Sequence, residues 1–341
     1  RVVYDAEHFF DAWRDDREYA LRCATAAAEA GAAVVCLCDT NGASLPPFVA
    51  DVVREVAAAL PEVVVGVHIH NDSDCAVADS LIAVEAGARQ VQGTINGYGE
   101  RCGNANLVSI IPALQLKMGH PVMSDEQLAR LTETSHFVAE VVNAAVWAHA
   151  PYVGDNAFAH KGGMHIAAVE KTPQTFEHVD PARVGNEQRV IVSELSGKGA
   201  VVHKAQELGL PLDAEDVRIA GVLKRLKTRE HEGYHYEAAD ASFDLLLREE
   251  LAPHEPLFRL ESFRVLVEKR EDGRAVTEAT IKVHVGGERI ISTAEGNGPV
   301  NALDSALRQA IVSKYPHLAD IELVNYKVRI LDATKRTGAV T

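Results

Sequence analysis

Hydrophobic and polar positions in residues 1–120 follow two alternating periods. Short runs rich in β-branched residues, each typical of a strand, are Val2–Tyr4, Val34–Cys38, Val63–Ile69 and Gln90–Ile95. In two of the intervening segments, apolar side chains recur every three or four residues: Phe48, Val52 and Val56, then Val77, Leu81 and Val84. The pattern predicts repeated βα units whose helices cover a parallel sheet.

The sequence Glu-Ala-Gly-Ala occurs twice, beginning at Glu29 and at Glu85, and each copy places a glycine at a helix end just before a strand. Four strands with their helices form only half of a (β/α)8 barrel, and such a half has two open parallel edges. We therefore expect an α/β fold in which further sequence precedes Arg1, and the lack of an initiating Met agrees.

The remaining chain changes character twice. Residues 124–250 are mostly helical in pattern, with a glycine-rich interruption in residues 151–165, so we predict a helical linker region. Beyond Pro256, alternating apolar residues on both sides of a turn at Glu271–Arg274 indicate a β-hairpin. A helix over Pro299–Lys314 and a closing strand over Val324–Ile330 complete a small α+β domain.

These patterns predict three parts. Residues 1–122 form half of a barrel, residues 123–252 form helical linker subdomains, and residues 253–341 form the α+β domain.

Composition limits the functions that fit the chain. It has 341 residues, 47% of them hydrophobic, which suffices for a sizeable core, and its formal net charge is −15. The negative charge argues against a broad surface for nucleic acid or an anionic membrane, and no run reaches the roughly 18 apolar residues of a membrane span. Small-molecule chemistry in the cytoplasm is the expectation.

The five cysteines all lie in the first third of the chain, and an odd number without a repeated spacing is a poor disulfide framework. A reducing compartment is therefore expected. Cys36 and Cys38 share one strand face, where zinc binding or redox chemistry competes with plain core packing. We favour packing.

His68 and His70 stand two residues apart at the C-terminal end of a predicted strand, so both imidazoles leave the same face. A barrel places its catalytic groups at that end of its strands, and a His-x-His pair there indicates metal ligands. The alternative is a pair of histidines that neighbouring backbone or carboxylate groups satisfy.

The next predicted strand leads into Asn96–Asn106, whose glycines allow tight turns and whose amide oxygens suit a hard cation. A plain loop with an Asn helix cap is the alternative. Glu100 and Arg101 could equally be a solvated ion pair.

Three further segments carry candidate residues. Thr40, in Cys38–Gly42, could donate its hydroxyl to a substrate carboxylate, although Thr-Asn-Gly is also ordinary turn chemistry. An acid within Asp5–His8, at the end of the first strand, could transfer protons or cap a helix. Phe158–His165 combines two histidines with a lysine and is too composite for a simple turn.

In order and spacing, five of these motifs resemble those of citramalate synthases: Asp5–Asp11, Leu37–Gly42, His68–Asp72, Gly93–Asn106 and Phe158–His165. Those enzymes belong with isopropylmalate and homocitrate synthases to the metal-dependent acyltransferases that perform Claisen condensations on a (β/α)8 barrel. The resemblance implies that residues 1–122 are the C-terminal half of this TIM barrel.

The same resemblance implies that acetyl-CoA condenses with pyruvate and that the product thioester is then hydrolysed. His68, His70 and Asn104 would hold a divalent metal ion, Mg²⁺, Mn²⁺ or Zn²⁺, which polarises the keto acid. Thr40 would contact the carboxylate of the keto acid. Glu7 and His165 would assist proton transfers.

Enzymes of this kind also carry a motif of approximate sequence Thr-Leu-Arg-Asp-Gly on their first barrel strand. Its Asp completes the metal site, and its Arg stabilises the oxyanion. This sequence lacks the motif. We therefore expect residues 1–341 alone to be inactive.

The C-terminal part resembles the allosteric domain of isopropylmalate and citramalate synthases, with Ala294–Ala302 as its signature. The resemblance implies a homodimer and an effector, isoleucine in citramalate synthases, bound near four residues: Gly296, Asn297, Gly298 and Pro299. A dimerisation module that binds no effector is the alternative.

Two other functions stay open. A 2-isopropylmalate synthase would differ mainly in the room that the barrel leaves for the side chain of the keto acid. A non-catalytic dimeric regulator that binds an amino acid would keep the C-terminal domain without turnover. A third function, that of a metal-dependent aldolase or lyase on the same barrel, is disfavoured because such an enzyme would not need the C-terminal domain.

Overall fold

The computed structural model describes residues 1–160, 163–191, 197–210, 212–213, 215–234, 236, 239–251, 256–269, 271–323 and 326. The chain divides into two compact units, Arg1–Glu230 with His235–Ser242, and His231–Tyr234 with Phe243–Thr341. Within the described ranges, no helix combines the length and the apolar character that crossing a membrane requires.

The first unit is built on a parallel sheet of four strands in sequence order: β1 (Val3–Ala6), β2 (Val34–Asp39), β3 (Val64–Ile69) and β4 (Gln90–Gln92). Its first five helices are α1 (Phe9–Asp15), α2 (Arg17–Glu29), α3 (Pro46–Ala59), α4 (Ala76–Ala86) and α5 (Leu107–Pro112). This is the βα alternation that the sequence predicts.

Side chains alternate along each strand, so this sheet has one apolar and one polar face. On the apolar face, Leu37, Val67 and Ile69 belong to one buried cluster with Val53 of α3 and Phe10 of α1. The polar face carries two rows of residues in register: Asp5, Cys36, Gly66 and Gln90, then Cys38, His68 and Gln92. The candidate ligand His68 therefore projects from the polar face.

The sheet is strongly curved. Gln92 donates a hydrogen bond from Nε2 to Oδ1 of Asp5 at 2.8 Å, although β1 and β4 are the outermost of the four strands. In a flat sheet those strands would be about 14 Å apart, three spacings of about 4.8 Å, which the two side chains cannot bridge. The polar face is thus concave, as on the inside of a barrel.

The first three strand predictions and the helix-ending glycines are confirmed, since Gly31 and Gly87 adopt φ 94° and φ 123°. The fourth strand was predicted too long. It ends at Gln92, because the chain at Gly93 turns so close to the loop that an added Cβ would lie 2.4 Å from the carbonyl oxygen of Ala105.

The apolar stripe predicted for α4 is not its most buried face. Val77, Leu81 and Val84 are half-buried, whereas the side of the helix that contains Asp79 and Ser80 is fully buried. A buried carboxyl in this position could not be read from hydrophobic periodicity.

The linker region is mostly helical, as predicted: α6 (Asp125–Leu128), α7 (Leu131–Val141), α8 (Gly163–Lys171), α9 (Lys198–Glu207), α10 (Arg218–His231) and α11 (Asp240–Leu251). A short parallel pair of strands that the sequence did not predict joins β5 (Ala159–His160) to β6 (Arg189–Val190).

The second unit contains an antiparallel sheet of β7 (Phe258–Lys269), β8 (Ala275–Val285) and β9 (Glu288–Gly296), followed by α12 (Pro299–Ile311). Alternate residues of β8, such as Ile281 and Val283, form a buried core with Ala306 of α12. The predicted hairpin and helix are confirmed. The predicted strand Val324–Ile330 lies outside the described residues except for Tyr326.

Candidate active site

His68 and His70 meet at the C-terminal end of β3, with their Nε2 atoms 3.4 Å apart. Two nitrogens that bind one ion at about 2.1 Å, with an angle of about 90–110° between them, lie roughly 3.0–3.4 Å apart. The strand supplies this geometry, because residues two apart leave the same face. The pair therefore fits a shared cation.

Asn104 lies beside this pair, since its backbone forms an antiparallel bridge with His70. Its side-chain nitrogen donates to the carbonyl oxygen of Tyr98 at 3.1 Å, which fixes the amide. Asn104 Oδ1 and His70 Nδ1 are buried without a hydrogen-bond partner among the described residues. A cation would satisfy the amide oxygen, so the donor set of two imidazoles and one amide fits a divalent metal ion.

Glycines shape the loop that holds Asn104. A Cβ at Gly99 would lie 2.1 Å from Asn104 Nδ2, and a Cβ at Gly103 would lie 2.0 Å from the carbonyl oxygen of Gly97. Gly103 also has φ 93°, a conformation that other residues adopt at a cost. Gly99 is therefore required by its close contact with the candidate ligand, and Gly103 by the close approach of the loop backbone to itself.

Glu7 and Thr40 are joined across the ends of β1 and β2. The hydroxyl of Thr40 donates to Glu7 Oε2 at 2.7 Å and accepts from the backbone N–H of His8 at 2.7 Å. His8, which makes this contact, has a left-handed φ of 55°. The hydroxyl proton of Thr40 is thus used in the hydrogen bond to the Glu7 carboxylate.

Arg101 ties three strand-end loops together. It donates to both oxygens of Asp72, and it donates to the carbonyl oxygen of Thr40 at 2.9 Å. The Arg101 guanidinium holds the pKa of Asp72 below its usual range. A solvated pair of Arg101 with Glu100 is not the main contact, because Glu100 is 86% exposed and 3.8 Å away.

Cys36 and Cys38 are buried on the concave face, and their sulfur atoms lie within 4.8 Å of each other and of a carboxylate oxygen of Asp5. The hydrogen bond with Cys38 and burial both raise the pKa of the Cys36 thiol. The Cys36 thiol is therefore protonated at neutral pH. All five cysteines of the chain are free.

His165 lies on α8 and is exposed. Among the described residues its ring stacks on Phe176, with centroids 4.1 Å apart, rather than on a residue of the strand ends. His160 is buried and faces Glu177 at 3.4 Å. Lys161, the third polar residue of this segment, lies outside the described residues.

Gln92 is a polar residue of the site that sequence reasoning missed. Its Oε1 is 3.0 Å from His68 Nδ1. Gln92 stands in register with His68 on the neighbouring strand. A strand of only three residues has too short a hydrophobic pattern for this pairing to be predicted from the sequence.

The residues expected to bind an effector run from Gly296, the last residue of β9, to Pro299, the first residue of α12. Asn297, Gly298 and Pro299 line a cavity of about 460 Å³ together with Asp304 and Tyr326. Gly298 is the residue just before α12, and Pro299 begins the helix.

Three family models match consecutive parts of the chain: HMGL-like over residues 5–138, homocitrate synthase post-HMGL domain-like over residues 152–233, and LeuA allosteric (dimerisation) domain over residues 237–341. The (R)-citramalate synthase of Geobacter sulfurreducens is 49% identical over 339 residues, which are 99% of this chain and 64% of that protein. The chain is therefore similar over its whole length to the citramalate synthases, and less so to the 2-isopropylmalate synthases. This confirms the expected TIM-barrel type of fold and the C-terminal dimerisation domain.

Two further relatives differ in their identity to the chain. The (R)-citramalate synthase of Streptomyces coelicolor is 50% identical over 343 residues, 100% of this chain and 64% of that protein. The 2-isopropylmalate synthase of Rhodopseudomonas palustris is 34% identical over 328 residues, 94% of this chain and 60% of that protein. The chain thus spans about 64% of the length of the citramalate synthases it matches.

Proposed function

We propose that the chain forms (R)-citramalate from acetyl-CoA and pyruvate, as an (R)-citramalate synthase or as part of one. The observation that carries the proposal is the difference in identity. Five citramalate synthases are 41–50% identical, whereas three 2-isopropylmalate synthases or probable ones are 34% identical. The donor cluster at the strand ends supports the same reaction class.

In this proposal His68, His70 and Asn104 hold a divalent cation, for which Mg²⁺, Mn²⁺ and Zn²⁺ are all candidates. When bound, the cation would supply Lewis-acid polarisation of the keto group of pyruvate. The three side chains themselves fix the position of that group, because they project from two adjoining strand ends. Arg101 and Asp72 hold the surrounding loops in place.

Glu7 is the proposed base that takes a proton from the methyl group of acetyl-CoA. Thr40 donates to Glu7, and an arriving keto-acid carboxylate would compete for that hydroxyl proton. Substrate binding at Thr40 would thereby free the Glu7 carboxylate to accept the methyl proton. His165 is proposed to return a proton to the new hydroxyl group before water hydrolyses the thioester.

The C-terminal unit is proposed to form the homodimer contact and to bind isoleucine in the cavity beside Gly298. Its LeuA-type domain supports a regulatory role. The division into residues 1–122, 123–252 and 253–341, and a place in the cytoplasm, remain predictions.

The test is thiol release from acetyl-CoA, measured with pyruvate and with 2-ketoisovalerate, on the 341-residue chain and on the full reading frame that encodes it. We expect a higher kcat/KM with pyruvate from the full reading frame and no turnover from residues 1–341 alone. Greater efficiency with 2-ketoisovalerate would identify an isopropylmalate synthase instead. Absence of keto-acid-dependent thiol release from both proteins would contradict catalysis altogether.

A further inference from the structure

Three polar side chains form a continuous hydrogen-bonded series across the concave face of the sheet. Gln92 Nε2 donates to Asp5 Oδ1 at 2.8 Å, and Gln92 Oε1 lies 3.0 Å from His68 Nδ1. The series joins β1, β4 and β3, and it ends on the imidazole whose other nitrogen faces His70.

The direction of every hydrogen bond in this series follows from its first member. An ionised carboxylate only accepts, so Asp5 must receive the amide N–H of Gln92. The amide oxygen of Gln92 then faces His68 and can only accept, so His68 must carry its proton on Nδ1. The lone pair of the neutral ring is left on Nε2, the atom that points toward His70.

We propose that Gln92 is a positioning residue for His68. It donates to the Asp5 carboxylate and accepts from His68 Nδ1–H, so that the Nε2 atom of His68 keeps the lone pair that can bind a cation. This inference rests on the proposed metal site. Without an acceptor at Nδ1, either nitrogen of the ring can carry the proton, and part of the population would present an N–H instead of a lone pair to the cation.

The amide has a property that a carboxylate at the same position would lack. Gln92 is neutral, so it orients His68 without placing a second negative charge beside Asp5. Cys36 and Cys38 lie beside Asp5 on the same face, and the hydrogen bond with Cys38 and burial raise the pKa of the Cys36 thiol, so this thiol adds no negative charge there either.

A purely structural role for Gln92, in which it only closes the curved sheet, predicts a different response when the carboxylate of position 5 and the amide of position 92 are exchanged. In the double variant Asp5→Asn with Gln92→Glu, an amide at position 5 donates to a carboxylate at position 92, which still accepts from His68 Nδ1. The direction of the final hydrogen bond is preserved. In Asp5→Asn alone, the partner both donates and accepts, so both orientations of the Gln92 amide become possible.

The experiment is ¹H–¹⁵N correlation NMR of ¹⁵N-histidine-labelled, metal-free chain, in which the His68 signal is assigned from a His68→Ala sample, combined with calorimetric titration of Zn²⁺. The wild type is expected to show the Nδ1–H tautomer. Asp5→Asn and Gln92→Met are expected to show mixed tautomers and about 10–100-fold weaker Zn²⁺ binding. The double variant is expected to recover both properties.

Gln90→Met is the matched control, because Gln90 lies on the same strand and face but its Oε1 has no hydrogen-bond partner among the described residues. It should change neither the tautomer nor the affinity. Unchanged tautomer and affinity in Asp5→Asn and Gln92→Met would overturn the proposal, as would a double variant no better than Asp5→Asn. If the tautomers change as expected but the wild type binds no cation, the hydrogen-bonded series stands and the metal site of the proposed function fails.

Discussion

Arg101 donates two parallel hydrogen bonds to Asp72, from Nε to Oδ1 at 2.7 Å and from a terminal nitrogen to Oδ2 at 2.9 Å. The same guanidinium donates to the carbonyl oxygen of Thr40. One side chain from the loop after β4 thus fixes the loops after β2 and β3, on which Thr40 and His70 lie. The arrangement of the candidate site depends on this contact.

Replacing Arg101 by Lys keeps the positive charge but loses the planar fork that matches a carboxylate. We expect a rise in KM for pyruvate of roughly tenfold, because the loops lose their common anchor. Steady-state kinetics on the full reading frame measures this, with Glu100→Gln as the neighbouring control. Equal KM values in Arg101→Lys and the wild type would show that the anchor does not matter.

His68→Ala and His70→Ala should each lower turnover at least about a hundredfold, since each removes a proposed ligand and leaves the keto acid unpolarised. Bound metal, measured by plasma emission spectroscopy, should fall in parallel. The exposed His149 provides the control substitution to Ala, which should change neither quantity. Near-native turnover in either variant with less metal bound would show that the metal is not catalytic.

Gly103→Ala tests the loop that holds Asn104. The new Cβ would lie 2.0 Å from the Gly97 carbonyl oxygen, so the loop must move. Gly119→Ala is a matched control, because it has a similar φ of 73° but open space around it. The left-handed backbone alone should cost each variant about 1–2 kcal/mol of folding free energy, and the contact with Gly97 adds to that cost in Gly103→Ala. Only Gly103→Ala should also weaken Zn²⁺ binding in calorimetry, and equal affinities would refute this account of the loop.

Asp79 links stability to pH. It is 1% exposed, its Oδ1 has no partner among the described residues, and burial, followed by the charge of Asp39, raises its pKa to about 7. A raised pKa means that the folded state holds the proton more tightly than the unfolded state. The resulting stability is complete below about pH 4 and is lost as pH rises through about 7.

Asp79→Asn, which mimics the protonated acid, should therefore be more stable than the wild type at pH 8, by about 1–3 kcal/mol, and similar to it at pH 4. Urea unfolding at both pH values measures the difference. Asp51→Asn is the exposed control and should show no such dependence. A wild type as stable as Asp79→Asn at pH 8 would mean that Asp79 is ionised in the folded chain at no cost.

The strands, the helix-ending glycines and the His68–His70 pair were predictable because each depends on residues close in sequence. The Gln92–Asp5 and Arg101–Asp72 contacts were not, since they join residues 87 and 29 positions apart. The first depends on sheet curvature and the second on the left-handed backbone of Arg101, with φ 55°. Neither property follows from a hydrophobic pattern.

Identification of the product tests directly whether the protein forms citramalate at the His68 site. Protein from the full reading frame is incubated with acetyl-CoA labelled with ¹³C in the acetyl group, pyruvate and a divalent metal ion, and the product is analysed by chiral chromatography with mass spectrometry. We expect (R)-citramalate that carries both labelled carbons and that disappears in His68→Ala. Consumption of acetyl-CoA without labelled citramalate, or labelled citramalate formed equally by His68→Ala, would contradict this expectation.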